Sequence, residues 1–229
     1  MKKYVAELIG TFFLVLTIGC TVVGHAVGAL APLAIGSTLM VMVFAGGHIS
    51  GGHFNPAVTL GVWFRGKCKT KDVVPYMVFQ VIGAVLAALV VHFLKAGSAV
   101  APLRLATVPA LVAEFLFTFA LVYVVLNVAT SKDTAGNSFY GVAIGFTVLV
   151  GAFSVGNISG AAFNPAVAVG ISVMGLSSWP NIWIYLLADF AGAAVAAGAF
   201  NILNPLDRED VHVHPFIRDG DKADDHGAS

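Results

Sequence analysis

A fifteen-residue segment that occurs twice constrains this chain more than any other feature. Residues 47–61 read GHISGGHFNPAVTLG and residues 156–170 read GNISGAAFNPAVAVG, so ten of fifteen positions are identical at a constant offset of 109. Both copies contain the tripeptide Asn-Pro-Ala. Chance does not plausibly produce such a match, so the chain is predicted to consist of two related halves.

The composition indicates a membrane environment for both halves. Hydrophobic residues make up 58% of the chain, charged residues only 10%, and the mean hydropathy is +0.89. A helix that crosses a bilayer needs roughly 20 apolar residues. Stretches of this length lie near residues 4–24, 33–52, 72–95, 108–130, 139–157 and 180–203. They predict six transmembrane helices.

Two further apolar pieces are too short to span a bilayer. They begin at Asn55 and Asn164 and run for only about ten residues each. Non-helical backbone at membrane depth is tolerated only where protein or a water-filled cavity surrounds it. We therefore expect two re-entrant half-helices that line a cavity.

Further matches extend the repeat to whole halves. Glu7 and Thr11 of the first apolar stretch recur, with the same spacing, as Glu114 and Thr118 of the fourth. Three spans per half invert the second half relative to the first, as in inverted-repeat transporters. The predicted fold is an all-α membrane protein with six transmembrane helices, two re-entrant half-helices and an inverted 3+3 repeat. Its channel domain covers residues 1–204, with halves at about 1–100 and 107–204, and residues 205–229 form a flexible cytoplasmic tail.

The basic residues predict the orientation. With both termini in the cytoplasm, ten Lys and Arg side chains lie inside and only Lys95 and Arg104 lie outside, which follows the positive-inside rule. The first apolar stretch has no convincing cleavage site and is interpreted as a retained helix. Cys20 and Cys68 are far apart in this topology, so no disulfide is expected.

The two Asn-Pro-Ala motifs predict the electrostatics of a pore. A helix N-terminus presents unpaired N–H groups and roughly half a positive charge. Two such ends that meet near the membrane midplane would repel cations, including hydronium. Pro56 and Pro165 suit the first helical position, while Asn55 and Asn164 can cap the helices and offer amide N–H groups to a solute. The motif residues predicted to form the pore are Asn55, Pro56, Ala57, Asn164, Pro165 and Ala166.

These motifs resemble those of the aquaporin, or major intrinsic protein, family, and the resemblance covers about residues 4–204. GHISGGHFNPAV is most similar to bacterial water channels. The resemblance implies a homotetramer with one pore per subunit and passive conduction of water or small uncharged solutes. It also implies that Asn55 and Asn164 are the central hydrogen-bond donors, and it favours the inner membrane of a bacterium.

The expected selectivity filter departs from the family pattern. Water-selective members have Arg after the second motif, where this chain has Val167. Spacing from the motifs assigns the other filter positions to Ile35, Ala152 and Ala161. An apolar ring without Arg predicts a wider opening that passes water with ammonia, urea or a similar solute. Plant vacuolar members share this valine, whereas Val167-Ala168 does not match the Arg-Asp of glycerol facilitators. A strict water channel, in which neighbouring groups replace the Arg, stays open.

Acidic residues within the spans require a separate explanation, because charges in lipid are costly. Glu7 and Glu114 are repeat partners and are predicted to be structural buried acids that accept hydrogen bonds from the half-helix loops. Asp189 takes the place of Gln80 in the repeat. We expect it to bond internally or at a subunit contact. A proton-coupled secondary transporter, which would use such an acid, is the less favoured alternative.

The remaining polar residues suggest no catalytic or metal chemistry. His48 and His53 flank the first motif and are interpreted as loop-ordering residues, while His212 and His214 in the tail are only a weak candidate for a metal site. The chain has no nucleotide-binding loop and no nucleophile with a base. The sequence therefore predicts a protein that is not an enzyme, has no cofactor or metal and binds no nucleic acid.

Overall fold

A computed structural model describes residues 1–25 and 27–209 of the chain. The α-helices in this part are α1 (Lys2–Val22), α2 (Ala31–Ser50), α3 (Pro56–Phe64), α4 (Thr70–Leu94), α5 (Thr107–Thr130), α6 (Tyr140–Ser159), α7 (Pro165–Val173) and α8 (Ile182–Leu203). No strand occurs within the described ranges. The fold is therefore all-α, as the sequence predicts.

Six of these helices are long and apolar enough to cross a membrane. Their most apolar windows have mean hydropathies between 1.7 and 2.4. They are α1, α2, α4, α5, α6 and α8, and their bounds lie close to those of the predicted stretches. The prediction of six spans is confirmed, and the chain is an integral multi-pass membrane protein.

Each short helix packs into the opposite half of the chain. Helix α3, from the first half, contacts α8 and α5 of the second half as well as its own neighbour α4. Helix α7, from the second half, contacts α4 and α1 of the first half. The two halves therefore interlock at the short helices, which fixes the relative positions of the Asn-Pro-Ala motifs.

Glycines at repeat-related positions allow the long helices to approach closely. A Cβ atom added at Gly83 of α4 would lie 2.5 Å from a carbonyl oxygen of α1, and one at Gly192 of α8 would lie 2.7 Å from a carbonyl oxygen of α5. The two halves meet in the same way, because a Cβ at Gly145 of α6 would lie 2.4 Å from the carbonyl oxygen of Gly36 of α2. Small residues of this kind permit close packing of membrane helices.

The first residues of the predicted flexible tail are ordered by contacts with the helical domain. Pro205–Glu209 form a short 3-10 helix, and Asp207 is buried. The Asp207 carboxylate lies 3.8 Å from the guanidinium of Arg65 and accepts a hydrogen bond from the backbone N–H of Lys132 at 3.1 Å. A buried arginine thus contacts the start of this segment, and the flexible tail stays a prediction. Residues 210–229, which include His212 and His214, lie outside the described residues.

Candidate functional site: a pore at the two Asn-Pro-Ala motifs

Both short helices begin with a capped Asn-Pro-Ala motif. The side-chain oxygen of Asn55 accepts hydrogen bonds from the N–H groups of Ala57 and Val58 at 2.8 and 3.4 Å. The oxygen of Asn164 accepts equivalent bonds from Ala166 and Val167 at 2.9 and 3.3 Å. Because the oxygens cap the helices, the amide N–H₂ groups are directed away from the helix ends.

Those amide groups link the two halves through reciprocal hydrogen bonds. The Asn55 Nδ2 group donates to the backbone carbonyl of Phe163 at 2.8 Å, and the Asn164 Nδ2 group donates to that of Phe54 at 2.9 Å. Each N–H₂ has two hydrogens, so one is used in this bond and the other can serve a solute. Both phenylalanines have a left-handed backbone, with φ of 50° at Phe54 and 48° at Phe163. This uncommon conformation presents each carbonyl to the opposite asparagine.

The buried carboxylate of Glu7 holds the first loop. It accepts hydrogen bonds from the N–H of His53 at 3.0 Å and of Phe54 at 2.6 Å, from the Ser50 hydroxyl at 2.6 Å, and from Gln80 Nε2 at 2.7 Å. All four partners are donors, so they suit an ionised carboxylate. The left-handed turn before Asn55 is therefore stabilised by an acid of α1.

Glu114 holds the second loop in the corresponding way. Its carboxylate accepts hydrogen bonds from the N–H groups of Ala162 at 3.1 Å and Phe163 at 2.6 Å, and it is fully buried. The loop Ala161–Asn164 therefore has the same kind of support as its repeat partner. These contacts are the ones the sequence suggested for both acids.

A narrow cavity lies between the motifs and the long helices. Its space open to the centre of a water molecule is about 20 Å³, which is roughly the room that one water molecule needs. The lining residues are Leu14, Ile18, Ile35, Leu39, Gly52, His53, Phe54, Asn55, Val58, Leu121, Val125, Ile144, Val148, Ala161, Ala162, Asn164 and Val167. Within the described chain, this lining contains no Asp, Glu, Lys or Arg. The cavity is thus mostly apolar, and its polar side chains are Asn55, Asn164 and His53.

The structure brings together most of the predicted site residues. Ile35, Ala161 and Val167 line the cavity with both asparagines. Ala152 does not line it and is half-buried on α6. The α6 residues that do line the cavity are Ile144 and Val148, so the assignment of Ala152 to the filter stays a prediction that this cavity does not support.

The cavity residues that the sequence analysis missed carry a signal that was available in the repeat. In the register that pairs Asn55 with Asn164, Ile35 corresponds to Ile144 and Leu39 corresponds to Val148. The register that pairs Glu7 with Glu114 relates two further pairs in the lining, which are Leu14 with Leu121 and Ile18 with Val125. The inverted repeat therefore adds pore positions that spacing from the motifs did not identify.

The histidines and the remaining acid lie around this passage. His53 is buried in the lining, and its Nδ1 lies 3.1 Å from the Thr59 hydroxyl, in agreement with a role in ordering the loop. His48 is exposed on α2. Asp189 is fully buried against Thr118, whose hydroxyl donates to it at 2.9 Å, and is absent from the cavity lining.

Comparison with known proteins decides the family. The family model described as "Major intrinsic protein" matches residues 1–200. The chain belongs to the major intrinsic protein family. Its relatives in this family include the aquaporin NIP1-4 of Oryza sativa, 36% identical over 89% of this chain and 77% of that protein. Nodulin-26 of Glycine max is 37% identical over 91% and 80% of the two chains.

Bacterial and structural relatives agree with this family. The glycerol uptake facilitator protein-like 6 of Lactiplantibacillus plantarum is 36% identical over 90% of this chain and 100% of that protein. The X-ray structure of the aquaglyceroporin from Plasmodium falciparum superposes with a TM-score of 0.75 and 21% identity, covering 90% of this chain and 98% of that one. The likeness to that structure supports the fold that the sequence predicts.

Proposed function

We propose that the protein is a passive channel that conducts water and small uncharged solutes, such as ammonia or urea, and excludes ions. The observation that carries this proposal is the meeting of two capped helix ends at a narrow apolar cavity. Asn55 and Asn164 each keep one amide hydrogen available beside their bond to the opposite loop. A solute that accepts hydrogen bonds gains these donors as it passes.

Exclusion of cations follows from the same arrangement. The N-terminal ends of α3 and α7 both carry partial positive charge, and the cavity lining offers no carboxylate to offset it. An ion would also lose most of its hydration shell in a cavity with room for about one water molecule. The pore is therefore open to neutral solutes at a low energetic cost and closed to charged ones.

Selection among neutral solutes is proposed to depend on size. Ile35, Ala161 and Val167 contribute no charge and no side-chain donor to the cavity. The names of several relatives, which include a glycerol uptake facilitator-like protein and an aquaglyceroporin, support solutes larger than water. Because glycerol is the largest of the solutes considered, we expect water to pass together with ammonia or urea before glycerol.

A strict water channel is the second candidate. The observation that favours it is the small size of the cavity, whose space open to the centre of a water molecule is about 20 Å³. Proton-coupled transport has less support, because Asp189 lies outside the cavity lining and is bonded to Thr118.

Stopped-flow light scattering on proteoliposomes tests the proposal. We expect fast shrinkage in water with a low activation energy, measurable uptake of ammonia or urea, slower uptake of glycerol, and no effect of a proton gradient. Fast water flux with ammonia, urea and glycerol all excluded would instead establish the strict water channel. A flux that follows the proton gradient would establish coupled transport.

Substitutions at repeat-related valines sharpen this test. Val167→Arg is expected to narrow the cavity and to suppress the flux of urea more than that of water. Adding Ala152→His should lower urea flux further only if residue 152 reaches the filter. Val167→Ala should raise urea flux relative to water flux. Val58→Ala is the matched control, since Val58 lines the same cavity at the repeat-related position but lies outside the predicted filter.

The setting of the channel is proposed on separate grounds. The distribution of Lys and Arg supports cytoplasmic termini, and the resemblance supports a homotetramer and a bacterial inner membrane. Large apolar side chains such as Leu116, Phe153 and Leu187 are exposed on the long helices and would face lipid or a second subunit. Chemical cross-linking in native membranes would test the tetramer, and protease protection of a C-terminal epitope would test the orientation.

A further inference from the structure

The two halves of the channel differ at one buried position beside the pore loops. In the first half, Gln80 of α4 donates a hydrogen bond from Nε2 to Glu7 at 2.7 Å. Its repeat partner in the second half, in the register that pairs the two motifs, is Asp189 of α8. The repeat partner of Glu7 is Glu114. A glutamine–carboxylate pair in one half thus corresponds to a pair of carboxyl groups in the other.

The surroundings of Asp189 contain a donor on one side and an acid on the other. The side chain is fully buried. Its Oδ1 accepts a hydrogen bond from the Thr118 hydroxyl at 2.9 Å. Oδ2 is buried and has no hydrogen-bond partner among the described residues. Glu114 lies one turn before Thr118 on the same face of α5, and in the first half the corresponding Gln80 and Glu7 side chains are 2.7 Å apart. The carboxyl groups of Asp189 and Glu114 are therefore neighbours that interact.

Two ionised carboxylates are not compatible with this contact. Like charges disfavour ionisation of both groups when they share a dry site, as in the carboxyl dyads of aspartic proteases. Glu114 already uses its two oxygens to accept bonds from Ala162 and Phe163, which favours its ionised form. One proton placed on Asp189 removes the repulsion and supplies the donor that Gln80 supplies in the other half.

We propose that Asp189 and Glu114 share a single proton, and that Asp189, as the protonated member, is a positioning residue for the second pore loop. The O–H group of Asp189 donates to Glu114. Glu114 holds the N–H of Phe163, and the carbonyl of Phe163 accepts the amide of Asn55. The proton is thus the first link of a hydrogen-bonded chain that ends at a pore-lining donor.

The pair makes the second half sensitive to pH in a defined direction. The folded channel holds a proton here that an unfolded aspartate releases at neutral pH, so stability falls as the pH rises. Tyr185, one turn earlier on α8, is the other titratable group near Asp189, and its hydroxyl donates to the carbonyl of Ser159 at 2.8 Å. Helices α3 and α7, which pack nearby, carry no titratable side chain. The first half, with Gln80, has no such proton to lose.

Infrared spectroscopy of the full chain in lipid at neutral pH tests the shared proton directly. We expect the wild type to show the C=O stretch of a protonated carboxylic acid, Asp189→Asn to lack it, and Glu7→Gln to retain it. Gln80→Glu is the matched control, because it installs the same pair in the first half and should add a second band. Absence of the band in wild type, or its persistence in Asp189→Asn, would overturn the proposal.

The pH dependence of the melting temperature distinguishes a shared proton from a contact that only supports the structure. The melting temperature of the wild type should fall from mildly acidic to alkaline pH, whereas that of Asp189→Asn, whose amide donates without a proton, should change less. Water flux should survive in Asp189→Asn and drop at least several-fold in Asp189→Leu. Equal loss of flux in both variants, or equal pH profiles for wild type and Asp189→Asn, would contradict the proposal. If Asp189→Asn does not fold, the wild-type spectrum and Glu114→Gln, which should also lack the band, decide the question.

Discussion

Replacement of Glu7 by Gln tests whether this acid acts as an acceptor for the first pore loop. The carboxylate oxygens of Glu7 each accept two hydrogen bonds, Oε1 from Ser50 and His53 and Oε2 from Phe54 and Gln80. In Glu7→Gln one oxygen becomes an N–H₂ group, so two donors lose their acceptor. A buried donor left without a partner costs roughly 1–3 kcal/mol, which gives a loss of about 2–6 kcal/mol in the free energy of unfolding.

Thermal unfolding in detergent measures this loss. For a chain of this size, 1 kcal/mol shifts the melting temperature by about 2–4 °C, so a decrease of about 4–24 °C is expected. Thr11→Val is the matched control. Thr11 is equally buried one turn away on α1, but its hydroxyl donates to the backbone carbonyl of Glu7 in its own helix, at 2.8 Å. Its removal should cost less, about 0.5–1.5 kcal/mol.

Two results would refute this reasoning about Glu7. If Glu7→Gln melts within experimental error of the wild type, or no lower than Thr11→Val, the acid does not stabilise the loop through its acceptor oxygens. If Glu7→Gln instead folds normally and loses a dependence on the proton gradient that the wild type shows, Glu7 takes part in transport. Reconstituted flux measured on the same preparations distinguishes the two outcomes.

Three further predictions concern the motifs, the helix packing and the loop cysteine. Asn55→Asp and Asn164→Asp should each alter water flux and admit a cation leak in proteoliposomes, because a carboxylate cancels the positive potential; unchanged flux and leak in both would contradict this role. Gly83→Ala should lower stability by about 1–3 kcal/mol, whereas Gly198→Ala, which meets nothing within 4 Å, should be neutral or stabilising on the same thermal assay. Burial, assisted by nearby Asp72, raises the pKa of the Cys68 thiol to about 11, so maleimide labelling should be slow at neutral pH and accelerate in alkali; rapid neutral labelling of the folded protein would argue against it.

Local chemistry explains why much of the pore was predictable from the sequence. A cap is made within three residues of the asparagine, so Asn55-Pro56 specifies the start of a helix without reference to the rest of the chain. Apolar length indicates the six spans. The repeat also relates residues of the two halves in pairs, and it pairs Glu7 with Glu114 from the sequence alone. The bounds of the helices and the support of both loops by acids agree with those predictions.

Contacts between distant residues account for what the sequence did not reveal. The long helices are apolar on nearly all faces, so no periodic pattern marks which side of α6 faces the pore, and spacing selected Ala152 where the cavity is lined by Ile144 and Val148. The bond from Asn55 to Phe163 joins residues 108 positions apart.

What the sequence by itself determined is the duplicated architecture, the membrane spans and the capped half-helices, because each depends on a local or repeated pattern. Only the tertiary structure decided how the halves interlock, which apolar side chains line the cavity, and that Asp189 is buried against Thr118. Those features depend on the rotation and approach of whole helices. Close packing sets both, through glycines whose neighbours lie in another part of the chain.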